Sequence, residues 1–411
     1  MINVDSTIHD PLLGARAAAK LLDVKLPTLY AYASRGLVTS VAAGRGKARL
    51  YPRSEIERLK ARHDARAGHG PVAAGALRWG EPVLDTRITA IDSRGPVYRG
   101  HVAVELARAG VSFERAAELL WTGTLPDEAA TFRADPRAVR ALARSLRAPA
   151  APFDALAVLV PLAAIVDPHR LAMTPPMVHA RARTLLATFV SAIALGYGRA
   201  APADGPIAAR LAEAFGLRST ARARAAIDAA LVLIADHELN VSTFAARITA
   251  SSGGDLHACA AAALAALSGP RHGGESDRVE ALLDEARTPA GARALVVART
   301  QRGERISGFS HPLYPDGDPR TPPLVAAARA LAPKRPALAT LDALADAMAR
   351  TRGEAPSVDF GLVSLARALG APRGAGAAIF AIGRGAGWIA HALEQRDAGH
   401  LLRPRARYVG R

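Results

Sequence analysis

Three stretches of this 411-residue chain carry side chains able to move protons and hold anions. The first, ADHELNVSTFAARITASSGGDLHACAAAALAALSGPRHGGESD, has His237 near its start and His272 after a long Ala-rich segment; GFSHPLYPDGDPR brings His311 and Arg320, and VDFGLVSLARALG brings Asp359. An imidazole can give or take a proton near neutral pH, a carboxylate can act as a base, and a guanidinium grips a carboxylate through two parallel bonds. The residues lie far apart in sequence, so only the fold can join them. We read them as one site.

Helices must do the positioning. AIDAALVLIADHELNVSTFAAR is apolar nearly all round at first, as a helix inside a bundle must be, and delivers Asp236, His237 and Glu238 at its end. Buried polar groups there need partners, from a substrate or from internal hydrogen bonds. The stretch ending ACAAAALAALSGP stops at Gly269 and Pro270, and a new helix is predicted from Ser276 with Val279, Leu282, Leu283 and Ala286 inward. His272 thus falls between two helices, beside bare backbone at Gly273 and Gly274 that a ligand can approach. Asp359, ahead of the apolar run Leu362, Leu365, Ala366 and Leu369, also reads simply as a helix cap. His391 reads as a packing residue, and His101 as either packed or turned to the site.

At 50% apolar and 22% charged residues the chain can bury a sizeable core, which excludes disorder as an overall description; its length suggests two or three domains. Abundant Ala and Leu with 5% aromatics point to a mainly helical protein. The net charge of +16 suits a polyanion, either nucleic acid or a nucleotide-bearing cofactor, or else reflects compositional bias toward Arg. One cysteine, Cys259, excludes an intramolecular disulfide and a Cys-rich zinc site, and the histidines lack ligand spacing, so no metal is expected. MINVDSTIHD does not read as a signal peptide, and the longest apolar run, LLATFVSAIALGYG, is shorter than the roughly 18 residues of a membrane span. A cytoplasmic location without membrane contact is expected.

The N-terminal stretch reads as a separate module. Pro27 suits the first turn of a helix with Leu26, Leu29, Tyr30 and Ala33 on one face and Thr28, Tyr32 and Arg35 on another. GRGKARLYP suits a basic hairpin wing, and Ser54 with Glu57 forms a capping box for the next helix. The module resembles the winged helix-turn-helix of the MerR and excisionase group. Residues 1–70 hold 12 Lys and Arg against 6 Asp and Glu, which favours phosphate contact. DNA-binding candidates are Thr28, Tyr32, Arg35, Arg45, Lys47 and Arg49; the alternative is a module that acts only in protein contact.

A second resemblance rests on six motifs that occur here in family order: DHELNVSTFAAR, GPRHGG, GFSHPLYPDGDPR, VDF, GRGAGWIAHALEQ and RPRARYVG, preceded by ITAID, YRGH and FERAAELLWTGTLP. The chain resembles citrate synthases over residues 80–411, least in the Pro-punctuated helices of 127–225. The resemblance implies an all-helical fold of large and small domains, a homodimer, and a site in the cleft between the domains. By that match Asp359 takes a proton from the methyl of acetyl-CoA, His272 hydrogen-bonds the enolate oxygen, and His311 polarises the oxaloacetate carbonyl and protonates the alkoxide. Citryl-CoA is then hydrolysed to citrate and CoA. The matches for oxaloacetate and citrate binding are His237, Arg305, Arg320, Arg384 and the partner subunit's Arg403. No permanently bound cofactor is implied; acetyl-CoA and CoA are substrate and product. Glycines in GERISGFSH would permit backbone contact with CoA.

The sequence departs from the family pattern at GPRHGGES, where many relatives have GPLHGGAN, and at Pro312, where an Arg is frequent; both bear on acyl-CoA preference. The expected domains are a helix-turn-helix over 1–67, a linker over 68–79, a large domain over 80–272 with 373–411, and a small domain over 273–372. Two other functions remain open at this point. One is a 2-methylcitrate synthase using propionyl-CoA, since one methylene is worth only about 1 to 3 kcal/mol in a pocket. The other is a non-catalytic DNA-binding regulator that senses citrate or acyl-CoA.

Overall fold

The structure is a computed structural model that describes residues 12–35, 37–42, 49–53, 55–57, 59–60, 84–146, 148–172, 174–202, 204–404, 408 and 410. The chain divides into two compact units, Met1–Asp85 and Thr86–Arg411. The expected linker over 68–79, the capping serine Ser54 and the wing residues Arg45 and Lys47 lie outside the described residues.

The first unit holds β1 (Leu12–Gly14), α1 (Ala15–Leu22), α2 (Leu26–Ser34), β2 (Val41–Ala42) and β3 (Arg49–Pro52). Asp23 closes α1 in the left-handed region, and Pro27 sits in the first turn of α2 as its fixed φ allows. The hairpin forms: β2 pairs antiparallel with β3, Val41 opposite Leu50. The sequence did not announce β1, which pairs on the other side of β3 with Leu13 opposite Tyr51. Ala18, Ala19, Leu22, Leu29, Val38, Tyr51 and Ile56 make the core. One expectation for α2 is corrected: Tyr30 points to solvent, and Tyr32 packs against this core, because Leu29 sets the buried face and Tyr32 lies one turn beyond it.

The second unit opens with an antiparallel sheet of β4 (Thr89–Asp92), β5 (Gly95–Tyr98) and β6 (His101–Val102). The helices follow: α3 (Ala103–Arg108), α4 (Phe113–Thr122), α5 (Pro136–Ser145), α6 (Pro152–Val166), α7 (Pro175–Gly196), α8 (Ile207–Ala214), α9 (Ala221–Ile234), α10 (Val241–Ser251) and α11 (Leu256–Leu267). The remainder are α12 (Glu275–Ala286), α13 (Pro289–Gln301), α14 (Thr321–Leu331), α15 (Pro336–Arg352), α16 (Val358–Leu369) and α17 (Ala375–Ala398). The mainly helical expectation holds. Ser112 caps α4 as its type predicts, accepting from the Arg115 N–H. Val102 and Leu106 turn inward, but Ala109, at the end of α3, is exposed. Helix α7 is long and apolar enough to cross a membrane by length and composition, yet 72% of its apolar window is buried in the protein.

Two hydrophobic cores form in this unit. The larger gathers α3 to α11 with α17 and one face of α16; the smaller gathers α12, α13, α15, the opposite face of α16 and the segment around Phe309. Helix α17 threads the larger core and is buried along most of its length. Its glycines make that path possible. A Cβ at Gly383 would stand 2.6 Å from Ile234 Cγ1, and one at Gly387 would stand 2.2 Å from Asp236 Oδ1, so α17 can press against the end of α9 only because both positions are bare.

Candidate active site

The end of α9 is fixed before any ligand is considered. Asp236 is fully buried; its Oδ2 contacts His391 Nε2 at 3.2 Å and accepts the Glu238 N–H, while the Tyr98 hydroxyl accepts the Asp236 N–H. His391 is thus a packing residue that orders the acid beside His237. His101 is exposed at the end of the sheet. His237 is buried, and its Nε2 meets the Tyr314 hydroxyl at 2.9 Å. Burial, with the Arg320 and Arg384 charges, holds the His237 imidazole well below its ordinary pKa.

His311 follows Ser310, a non-glycine residue at φ +63°, a conformation disfavoured for an ordinary side chain. Its Nδ1 accepts the Leu313 N–H at 3.2 Å, so the proton of the neutral ring sits on Nε2. Its ring centroid is 5.4 Å from that of His237 and 5.1 Å from that of Tyr314. Burial and the nearby Arg320 push the His311 pKa down to about 4, so the ring is neutral at pH 7. Tyr314, which sequence reasoning missed, touches both imidazoles and lies under the Arg320 guanidinium, 5.7 Å from ring centroid to Cζ. Burial pushes its hydroxyl up to about 12.

His272 occupies the turn between α11 and α12. Its Nε2 meets Ser242 Oγ at 2.8 Å, and the same hydroxyl accepts from Trp388 Nε1 and lies 2.7 Å from Asn240 Oδ1. That hydroxyl has one proton for two acceptors, so its rotation sets the tautomer of His272. Desolvation, then the Arg384 charge, lowers the His272 pKa to about 4.

Asp359 stands in the first turn of α16, where its Oδ1 accepts from Ser276 Oγ at 2.6 Å. Burial raises its pKa to about 6, against the lowering effect of the Ser276 bond. A raised carboxyl at a helix N-terminus is informative, because the helix end favours the anion and burial here outweighs it.

The arginines fall into two groups. Arg320 and Arg384 are each only 2% exposed. Arg320 spends one edge on Asp318, with Nε and Nη2 reaching the two carboxylate oxygens at 2.9 and 2.7 Å, and keeps its Nη1 end. Arg384 donates from Nε to the Ile234 carbonyl, lies over Phe380 and leaves its two Nη groups without a hydrogen bond to the described residues. Arg384 also acts electrostatically on His237, His272 and His311 and feels the Asp359 charge, and it shares the Phe380 ring with His272, whose ring centroid is 6.1 Å from that of Phe380. Arg305 and Arg403 are not in this group. The Arg305 side chain is 64% exposed and donates from Nη2 to Glu275 Oε1; Arg403 is exposed beyond α17.

Gly308 does not offer its backbone to a ligand as expected for the GERISGFSH glycines. Its N–H donates to Glu275, its carbonyl accepts from Ser357, and a Cβ there would meet Val279 at 2.5 Å. In the first unit Thr28 is half-buried, Arg35 is exposed at the end of α2, and Arg49 is exposed with Nη1 on Ser40 Oγ.

A family model for the citrate synthase C-terminal domain matches residues 76–405. A 2-methylcitrate synthase of Mycobacterium tuberculosis is 32% identical over 353 residues, covering 80% of this chain and 88% of the relative. Citrate synthase 2 of Bacillus subtilis is 37% identical over 188 residues, covering 45% of this chain and 50% of the relative. Among solved structures, citrate synthase of Thermoplasma acidophilum, in ternary complex with carboxymethyl coenzyme A and oxaloacetate, superposes with a TM-score of 0.73 at 25% identity, covering 82% of this chain and 96% of that one. With a family model matching most of the chain and a relative 32% identical over 80% of it, this protein belongs to the citrate synthase family.

Proposed function

We propose that the chain condenses acetyl-CoA with oxaloacetate and hydrolyses the resulting citryl-CoA to citrate and CoA, with Asp359, His272 and His311 as the reacting groups. The observation that carries this reading is geometric: His237, His311 and Tyr314 pack ring to ring under Arg320, His272 and Arg384 meet the same Phe380 ring, and the Asp359 carboxyl is within electrostatic reach of both guanidiniums. Asp359 takes a proton from the methyl carbon next to the thioester, and the C–H electrons become the enolate. An enolate oxygen needs a donor, and a neutral His272 supplies one from Nδ1 when the Ser242 proton is turned toward Nε2. His311 has its proton on Nε2 and can give it to the keto oxygen as the carbon–carbon bond forms. The Nη ends of Arg320 and Arg384 that make no hydrogen bond to the described residues suit the two carboxylates of the keto acid, with His237 adding a hydrogen bond beside them.

A homodimer is part of the same proposal. The partner subunit's Arg403 would complete the oxaloacetate pocket, while Arg305, tied to Glu275, would reach substrate only after closure. The two hydrophobic cores support a large domain of 80–272 with 373–411 and a small domain of 273–372. The test is CoA release with oxaloacetate in the wild type and Asp359→Ala, where a loss of at least about 10²-fold is expected. Equal turnover in both would remove Asp359 from the mechanism. Side-by-side kcat/KM values for acetyl-CoA and propionyl-CoA decide between citrate and 2-methylcitrate synthesis.

The N-terminal unit is proposed to bind DNA as a winged helix-turn-helix. Supporting this are the paired β2–β3 wing and a groove of about 1040 Å³ whose lining includes Arg16, Tyr30, Ser34, Ser40 and Arg49. Thr28, Arg35, Arg45, Lys47 and Arg49 remain candidates for DNA contact. Tyr32 is withdrawn from this set by its packing. A gel shift of the full chain across salt concentrations is the test: binding that weakens steeply with salt is expected, and absent or salt-insensitive binding counts against it. Citrate-dependent DNA binding without CoA release would favour a sensor.

A further inference from the structure

Ser276 is 1% exposed, in the first turn of α12, and its hydroxyl donates its single proton to Asp359 Oδ1 at 2.6 Å. The neighbouring Glu275 is also buried but turns elsewhere, its Oε1 accepting both the Gly308 N–H and Arg305 Nη2. Two successive residues therefore treat the carboxyl of Asp359 differently: one grips an oxygen, the other only adds negative charge nearby. The χ2 torsion of an aspartate is broad and two-fold, so an unheld carboxylate presents either oxygen to a substrate. A short charge-assisted O–H···O⁻ bond removes that degeneracy.

We propose that Ser276 is a positioning residue for the reaction, holding Oδ1 of Asp359 so that Oδ2 is the atom that receives the proton from carbon. This rests on the reading of Asp359 as the base. In the step, the C–H bond breaks, its electron pair stays on the substrate as the enolate, and the proton ends on Oδ2 while the Ser276 proton stays where it is. Oδ1 then becomes the carbonyl oxygen of a neutral acid and a poorer acceptor, so Ser276 favours the ionised state and lowers basicity in exchange for orientation. The other charges facing the carboxyl are Glu275 on α12 and Asp318 before α14, which raise its pKa, and Arg320 and Arg384, which oppose them.

The opposition of basicity and orientation makes the inference testable. Ser276→Ala should lower kcat by about tenfold through misorientation, with KM for oxaloacetate within about twofold of wild type. The acid limb of its pH–rate profile should nevertheless move to higher pH, because the bond that stabilised the anion is gone. Ser276→Thr, which keeps the hydroxyl, should restore most of the rate and the original limb. Thermal melts of both variants check folding, and Asp359→Asn is assayed in parallel. An inactive Asp359→Asn beside a Ser276→Ala profile that superimposes on wild type, or a Ser276→Thr as impaired as Ser276→Ala with an equal melting temperature, overturns the role of Ser276 alone. An active Asp359→Asn overturns the base assignment and this inference together.

Discussion

Arg320 and Arg384 are buried and held through Nε by a fixed acceptor, whereas Arg305 and Arg403 stand in solvent. The difference separates what the single folded chain prepares in advance from what binding must assemble. A guanidinium in low dielectric with a bare Nη end loses little freedom when a carboxylate arrives, so its interaction is strong. An exposed arginine must be ordered and desolvated at that moment, and salt screens it until then. The buried pair also carries a cost, since each guanidinium lowers the pKa of the imidazoles around it.

Substitutions can break or sharpen this contrast. The largest effect is expected from Arg320→Gln, which removes a proposed substrate ligand and leaves Asp318 buried without its partner, a loss of about 3–5 kcal/mol in stability measurable by urea denaturation. Arg384→Gln should fold better but lose about 10²- to 10³-fold in kcat/KM for oxaloacetate. The pH profile is the next test: kcat/KM should fall about tenfold per unit below pH about 6 as Asp359 takes up a proton, while His272 and His311, at about 4, stay neutral. Those two histidines have folded pKa values below their unfolded ones, so they contribute stability above pH about 6.5 that is lost as pH falls toward 4, visible in melting temperature. The smallest effect is expected from Arg305→Ala, within about fivefold in kcat/KM, because its partner Glu275 still holds the Gly308 N–H. If Arg305→Ala costs as much as Arg384→Gln, the contrast between prepared and assembled arginines fails.

Much of this was legible in the sequence where a periodic signal met a stop. The all-round apolar run before Asp236 placed α9, and Val279, Leu282, Leu283 and Ala286 placed the inner face of α12 within one residue of its start. The partners that tune the site were not legible. Ser276, Ser242, Tyr314 and Glu275 act through contacts between segments 30 or more residues apart, and no local pattern encodes a tertiary hydrogen bond. Asp318 is the exception: an acid two residues before an arginine, in PDGDPR, could have been read as its anchor. Strand β1 was missed because three residues carry no period, and Tyr32 was misassigned because nine residues of α2 admit more than one apolar face.

The bare positions on α17 limit how this enzyme can be hardened. Replacing a helical glycine by alanine is ordinarily a safe route to thermostability, worth roughly 0.5–1 kcal/mol. At Gly387 the added methyl would strike the carboxylate of Asp236, next to His237, and at Gly383 it would strike Ile234, whose carbonyl anchors Arg384. A stabilisation screen that treats helix glycines as interchangeable targets would therefore lose both heat resistance and turnover at these two sites.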